Sequence, residues 1–346
     1  MTLQGDGVRR LSLQIGVLSA AITAWTPGQP NQVPEQTGRP FSFFEPAIQL
    51  EAGDIERIHA GDVVTRTIHS SGHDMAVLAA GSLKITPDAF VSRVTDIVQL
   101  RKSRTVPSIG RFSSPPRIND LAALTLSEED LEHLSACRPG DCGLKLADVE
   151  IRRMQAALTS GRTGDRSTAQ RTFRDILLER VRTYLDSGID ALPPYHDKDQ
   201  PLDAGEAFGR LVEHSAYLAR VPRLRASLGG PAANGVTASY VYWSSEHFGQ
   251  RSVIRVTHVV IVRPGASGLP DVLVGSTQIY ASHYIDAALA VTTLESGSEG
   301  TAFLGYLYRA RVDVLGNFLA RGIAKGRIER DVERLFLHQL ERLQGG

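Results

Sequence analysis

The sequence of 346 residues has no excess of charge of either sign, because 38 Lys and Arg residues balance 38 Asp and Glu residues. A chain without net positive charge lacks the long-range attraction that drives nucleic-acid binding. It also contains no Gly-x-x-x-x-Gly-Lys phosphate loop, no Gly-x-Ser-x-Gly elbow, no His-Glu-x-x-His and no Cys-x-x-Cys-His. The sequence therefore predicts no cofactor, no metal site and no nucleic-acid partner, and it identifies no reaction.

Cysteine is scarce, and the two that occur, Cys137 and Cys142, lie in the stretch Cys-Arg-Pro-Gly-Asp-Cys. The Pro139-Gly140 pair favours a tight reversal that could bring the two sulfurs together. A local disulfide is the prediction if the protein is exported. Two alternatives stay open: a zinc site completed by His133, or two free thiols in a cytoplasmic protein.

The composition, 42% hydrophobic and 22% charged, does not fit a protein with many membrane spans. Residues 1–25 are a candidate signal segment, since Arg9 and Arg10 precede a mostly apolar run at 11–24 that contains small residues suited to cleavage. That run is too short to span a bilayer. Residues 26–40, rich in Pro, Gln and Gly, look like a linker. Export to the periplasm or cell envelope is predicted, with a cytoplasmic protein carrying an N-terminal tail as the alternative.

Residues 41–346 are predicted to form a single domain. Two β-branched runs between 63 and 85 predict strands, and the pair Thr86-Pro87 begins an amphipathic helix. From 102 to 234 the strand patterns nearly vanish. Helical spacing separated by Pro-Pro breakers predicts a large helical insertion there.

The C-terminal third changes character. Runs rich in β-branched and aromatic residues predict an antiparallel meander at 239–243, 252–262, 272–293 and 301–312. The third run is long enough for two strands or one bulged strand. A closing helix at 314–343 has apolar residues mostly on one face and basic residues such as Arg330 on much of the rest. The predicted fold class is α+β, a curved antiparallel sheet gripped by a long C-terminal helix.

This order of strands, helix with insertion, meander and closing helix resembles the START-like helix-grip (SRPBCC) superfamily, which includes lipid-transfer domains and polyketide cyclases. The resemblance covers about residues 60–345 and rests on element order. It implies a cavity between the sheet and the final helix. Residues 137–146 and 278–289 are also similar to uncharacterised exported bacterial proteins, from which no biochemical role follows.

Two strands of the meander carry the candidate ligand-binding residues. His258 lies among the apolar even-numbered positions of 252–262, while Arg255 and Thr257 belong to the other face. His258 would point to the ligand if the even-numbered face is the concave one; otherwise it is a hydrogen-bonded core residue. Tyr280 could lie across the sheet from His258. These two side chains could then orient a polar ligand group, or pair with each other on a solvated face.

His283 and Asp286 crowd into the same strand or strand break, and Asp286 could orient His283 only if a bulge intervenes. Tyr242 and Trp243, at the entrance to the same meander, are further ligand-binding candidates. Trp243 is a candidate cavity wall, with a core Trp whose N–H is satisfied as the alternative.

The leading functional prediction is binding or carriage of a lipid-like or aromatic small molecule. One alternative is a cyclase or hydrolase that uses His258 with Tyr280 or His283. Another is a non-catalytic envelope scaffold whose basic C-terminal helix contacts the membrane peripherally.

Overall fold

The computed structural model describes residues 39–159, 166–248, 251–316 and 318–345. The predicted signal segment and all but the last two residues of the predicted linker lie outside these ranges. The described residues contain nine α-helices: α1 Ala52–His59, α2 Pro87–Thr95, α3 Ile97–Arg101, α4 Glu128–Leu134, α5 Asp148–Thr159, α6 Arg166–Ser187, α7 Ala204–Glu213, α8 Pro222–Ser227 and α9 Phe318–Gln344. They also contain eight strands: β1 Val64–Ser71, β2 Asp74–Lys84, β3 Ser108–Arg111, β4 Ala238–Phe248, β5 Arg251–Val262, β6 Val272–Ala281, β7 Ile285–Ser296 and β8 Thr301–Val312.

The eight strands of the described ranges form one curled antiparallel sheet in the order β1-β2-β8-β7-β6-β5-β4-β3. The predicted α+β class and the predicted meander are confirmed. The run predicted at 272–293 divides into two strands, β6 and β7, because the chain turns at Tyr284, which has a positive φ of 62°. The first strand of the meander is longer than expected and reaches Phe248.

The mainly helical insertion also contains one short strand that the sequence did not indicate. The segment Ser108–Arg111 is a short strand that pairs with β4 from Ser245 to Tyr242. Four residues carry too little alternation to be recognised locally, so the pairing partner about 130 residues later determines this strand. The remainder of the insertion supplies α4 to α8.

Helices cover both faces of the sheet. On the face that we call the grip face lie α2, α3 and α9, while α6, α7 and α8 pack on the opposite, insertion face. In α9 the buried side chains recur every three or four residues and form one stripe: Ile328, Val332, Phe336, Leu340 and Leu343. None of the helices in the described ranges is long and apolar enough to cross a membrane.

The two cysteines are joined. Cys137 and Cys142 form a disulfide, so both sulfurs are in a covalent bond and not in a zinc site or free. The loop they close is held by a later segment of the same insertion, since Gly140 N donates to His196 O at 2.8 Å and Cys142 N donates to Asp197 O at 3.0 Å. The predicted local disulfide is confirmed.

Candidate ligand-binding cavity

The structure places His258 on the insertion face, because the odd-numbered residues of β5 face the grip helices and the even-numbered ones do not. Its Nδ1 lies 2.9 Å from the hydroxyl of Tyr184 on α6, and its Nε2 lies 2.8 Å from Ser239 Oγ. Burial lowers the pKa of His258 to about 4. The condition for His258 to face a cavity beneath α9 is therefore not met. It is a neutral, hydrogen-bonded residue of the core near neutral pH.

Tyr280 and Trp243 also lie on the insertion face. A register shift between Val256 and Thr257 places Tyr280 opposite Val256, so Tyr280 is not the cross-strand partner of His258. The indole N–H of Trp243 donates to the Asp120 carbonyl at 2.8 Å. This arrangement is the core Trp with a satisfied N–H that the sequence left as an alternative.

His283 and Asp286 are both buried, but they bind different partners. The ring of His283 contacts Gly143 O at 2.8 Å through Nδ1 and Asp130 Oδ1 at 3.1 Å through Nε2. Asp286 sits at a bulge in β7 and accepts a hydrogen bond from Lys145 Nζ at 2.7 Å. Asp286 therefore does not orient His283, and both side chains attach the insertion to the β6–β7 connection.

Of the six predicted residues, Tyr242 alone lines the cavity between the sheet and the grip helices. This first cavity has a volume of about 70 Å³. Its floor is the centre of the sheet, where Ser276, Ala288 and Ala290 present small side chains, and its roof includes Phe90 of α2. Space remains because these three short side chains do not fill the layer between sheet and helices.

A second cavity of about 80 Å³ adjoins the first and extends beneath α9. The two share four side chains as walls: Arg101, Arg255, Tyr306 and Tyr308. The rings of the two tyrosines are stacked with their centroids 6.5 Å apart. A cluster of cationic and aromatic side chains thus separates the two spaces.

Arg101, Glu246 and Arg255 form a largely buried ionic triad at this boundary, with 9%, 14% and 14% of their side chains exposed. Arg101, at the end of α3, donates through Nη2 to Glu246 Oε1 at 3.0 Å, and through Nη1 to the hydroxyl of Tyr242. Arg255 on β5 donates to Glu246 Oε2 at 3.3 Å, and Ser244 Oγ donates to Oε1 at 2.7 Å. Burial by itself would raise the pKa of Glu246, but the two guanidiniums outweigh it and lower that pKa to about 2. The triad therefore carries two positive charges and one negative charge near neutral pH.

Several polar atoms of the cavity walls lack hydrogen-bond partners. Among the residues that the structure describes, Nε of Arg101, Nε of Arg255, Oγ1 of Thr257 and Oε1 of Gln278 have none. Leaving such a group buried and unpaired costs roughly 1 to 3 kcal/mol. Four of them around one space indicate a site that water or a polar ligand group completes.

Tyrosine side chains complete the same walls. Burial raises the pKa of Tyr240, Tyr306 and Tyr308, so these phenols stay protonated near neutral pH. The Tyr240 hydroxyl donates to the Val94 carbonyl at 2.6 Å, which fixes α2 against β4. The arrangement suits a small molecule that is apolar over most of its surface and polar at one end.

The comparisons with known proteins do not identify the protein. No protein-family model matches the chain, and no curated protein matches it significantly. The functional argument therefore rests on the site itself.

Proposed function

We propose that this protein binds or carries a hydrophobic small molecule in the paired cavities of the grip face. The observation that carries the proposal is the space above Ser276, Ala288 and Ala290, bounded by apolar rings and by unpartnered buried polar atoms. Sites for small molecules are mostly apolar clefts with a few converging polar groups, and this one has that character. The cyclase alternative relied on His258, which lies on the opposite face, so carriage is favoured.

The path of the chain supports a START-like relationship as part of this proposal. Helices α2 and α3 follow β2, a meander follows, and α9 closes the chain against β1, β2 and α3. The chain differs from compact members of that superfamily because its insertion buries the second face of the sheet. The ligand would therefore enter on the grip face, between α3 and α9, where Gln339 and Leu343 border the first cavity.

The size of the cavities limits the ligand. An engineered cavity of about 150 Å³ accepts benzene, and each space here has about half that volume. Rotation of Tyr306 or Arg101 would join the two spaces, since both side chains wall each of them. A single ring or a short alkyl chain fits that joined space, and a larger ligand requires α9 to move.

The disulfide between Cys137 and Cys142 supports the proposal that the protein is exported, because such bonds persist in oxidising compartments. We expect the protein secreted by its own host to lack free thiols. Recovery from the reducing cytoplasm with two reactive thiols would contradict export.

Isothermal titration calorimetry with toluene, a neutral single-ring probe of the size that the joined space accommodates, tests the proposed function. We expect wild-type protein to bind it and Ala290→Phe to abolish binding, because the new ring occupies the cavity floor. Ala226→Phe adds the same ring at an exposed position of α8 and serves as the control. Thermal melting verifies that both variants fold. The proposal fails if the wild type does not bind the probe, or if the two variants bind it equally.

A further inference from the structure

We propose that the ligand is an amphipathic monoanion whose carboxylate lies at Arg101 and Arg255 while its apolar part fills the first cavity. This inference rests on the proposed function and specifies the chemical class of the ligand. Hydrophobic ligands in general need only the apolar walls. A neutral ligand would not use the charge of the two guanidiniums at the boundary of the cavities.

The charge balance of the site argues for an anion. Glu246 is the single carboxylate of the triad and accepts from both Arg101 and Arg255, so one buried positive charge has no counterion within the triad. Asp331 also borders the second cavity, but it pairs with Arg334 of the same helix at 3.0 Å.

The hydrogen-bond inventory agrees with the charge balance. Within the described ranges, the Nε donors of Arg101 and Arg255 are buried without acceptors. A carboxylate offers about four acceptor positions on two oxygens and is the natural partner of guanidinium groups. A carboxylate at the boundary would satisfy donors that the protein leaves open, and it would neutralise the remaining charge.

The geometry also sets the direction of the ligand. Arg101 and Arg255 lie where the two cavities meet, whereas the first cavity is lined beyond them by Phe90, Val94, Ile97 and Val274. An acid with its head at the guanidiniums therefore points its hydrocarbon into the first cavity. A single ring or an alkyl chain of a few carbons is long enough to reach from the guanidiniums to these apolar side chains.

Displacement of toluene, followed by calorimetry, by two ligands of equal chain length, pentanoate and pentan-1-ol, tests the inference near neutral pH. A charge-assisted hydrogen bond contributes enough to favour pentanoate about tenfold or more. Equal displacement by the acid and the alcohol would overturn the inference while leaving probe binding, and with it the proposed function, intact. Loss of probe binding by the wild type would instead remove the proposed function.

Three variants vary the charge of the triad and identify the groups responsible. Glu246→Gln raises the net charge and should increase the preference for pentanoate, whereas Arg255→Met makes the triad neutral and should abolish that preference. The double variant Glu246→Gln with Arg255→Met restores the wild-type net charge of the triad and contains no carboxylate that has lost a guanidinium, so it should regain much of the preference. It remains informative if Arg255→Met alone does not fold. A preference for pentanoate that is the same in all folded variants would overturn the assignment to these residues. Arg225→Met, at an exposed position of α8, is the control.

Discussion

Replacing His258 with glutamine should weaken the dependence of stability on pH between about pH 7 and about pH 5. Burial lowers the pKa of His258 from 6.5 to about 4, and its two ring nitrogens already contact the hydroxyls of Tyr184 and Ser239. In this interval the unfolded chain binds a proton that the folded protein excludes. The contribution of His258 is therefore fully present above the pKa of the unfolded chain, and it is lost as the pH falls toward the folded value.

The magnitude follows from these two values. At about pH 7 the imidazole is mostly neutral in both the folded and the unfolded chain. At about pH 5 it is charged only in the unfolded chain, so the free energy of unfolding falls by about 2 kcal/mol through this group. His258 is 1% exposed, so solvent screening takes little from this value. Its full contribution, reached below about pH 4, is about 3 kcal/mol.

Urea denaturation of wild type, His258→Gln and His214→Gln at the two pH values measures the effect. His214 is exposed, so its variant controls for the loss of one imidazole. We expect the wild type and the control to lose about 2 kcal/mol more than His258→Gln on acidification. Equal losses in all three proteins would refute the reasoning. So would NMR titration of the His258 ring in the folded protein near the value of a free imidazole.

Replacing both Cys137 and Cys142 with serine should lower the free energy of unfolding by about 2 kcal/mol, because the disulfide closes only a short loop. A loss above about 5 kcal/mol, measured by urea denaturation, would contradict this. Glu150→Gln should cost roughly 3 to 5 kcal/mol, since Arg180 is buried and donates to Glu150 at 2.8 and 2.6 Å. A melting temperature equal to that of the wild type would show that the pair is dispensable. Gly275→Ala should destabilise the fold by roughly 1 to 3 kcal/mol, because a Cβ there would lie 2.8 Å from Leu224 of α8 and 2.6 Å from Leu228 just after it. Unchanged stability on calorimetry would mean that α8 moves aside without cost.

The elements whose signals are local were predictable from the sequence. The stripe of α9 and the β-branched and aromatic runs of β4 to β8 lie within single segments, and the cap of α2 uses Thr86, whose hydroxyl accepts from Ala89 N at 3.3 Å. β3 was not predictable, because its four residues become a strand only by pairing with β4. The register was equally hidden. The shift between Val256 and Thr257 moves Tyr280 away from His258, and no local pattern encodes it.

The candidate site was harder to predict for a reason that lies in the layering of the fold. Helices cover both faces of the sheet, so nearly every residue of β5 from Val253 onward is buried and apolar alternation cannot say which face holds a cavity. The useful signal was the polar pair Arg255 and Thr257 on the odd-numbered face. A packed core excludes such groups unless they are paired, whereas a ligand cavity can use them. In a strand buried on both sides, the face that keeps charged side chains despite burial is therefore the one on which to search for a ligand. Here it is the grip face, on which small residues form the floor of the cavity.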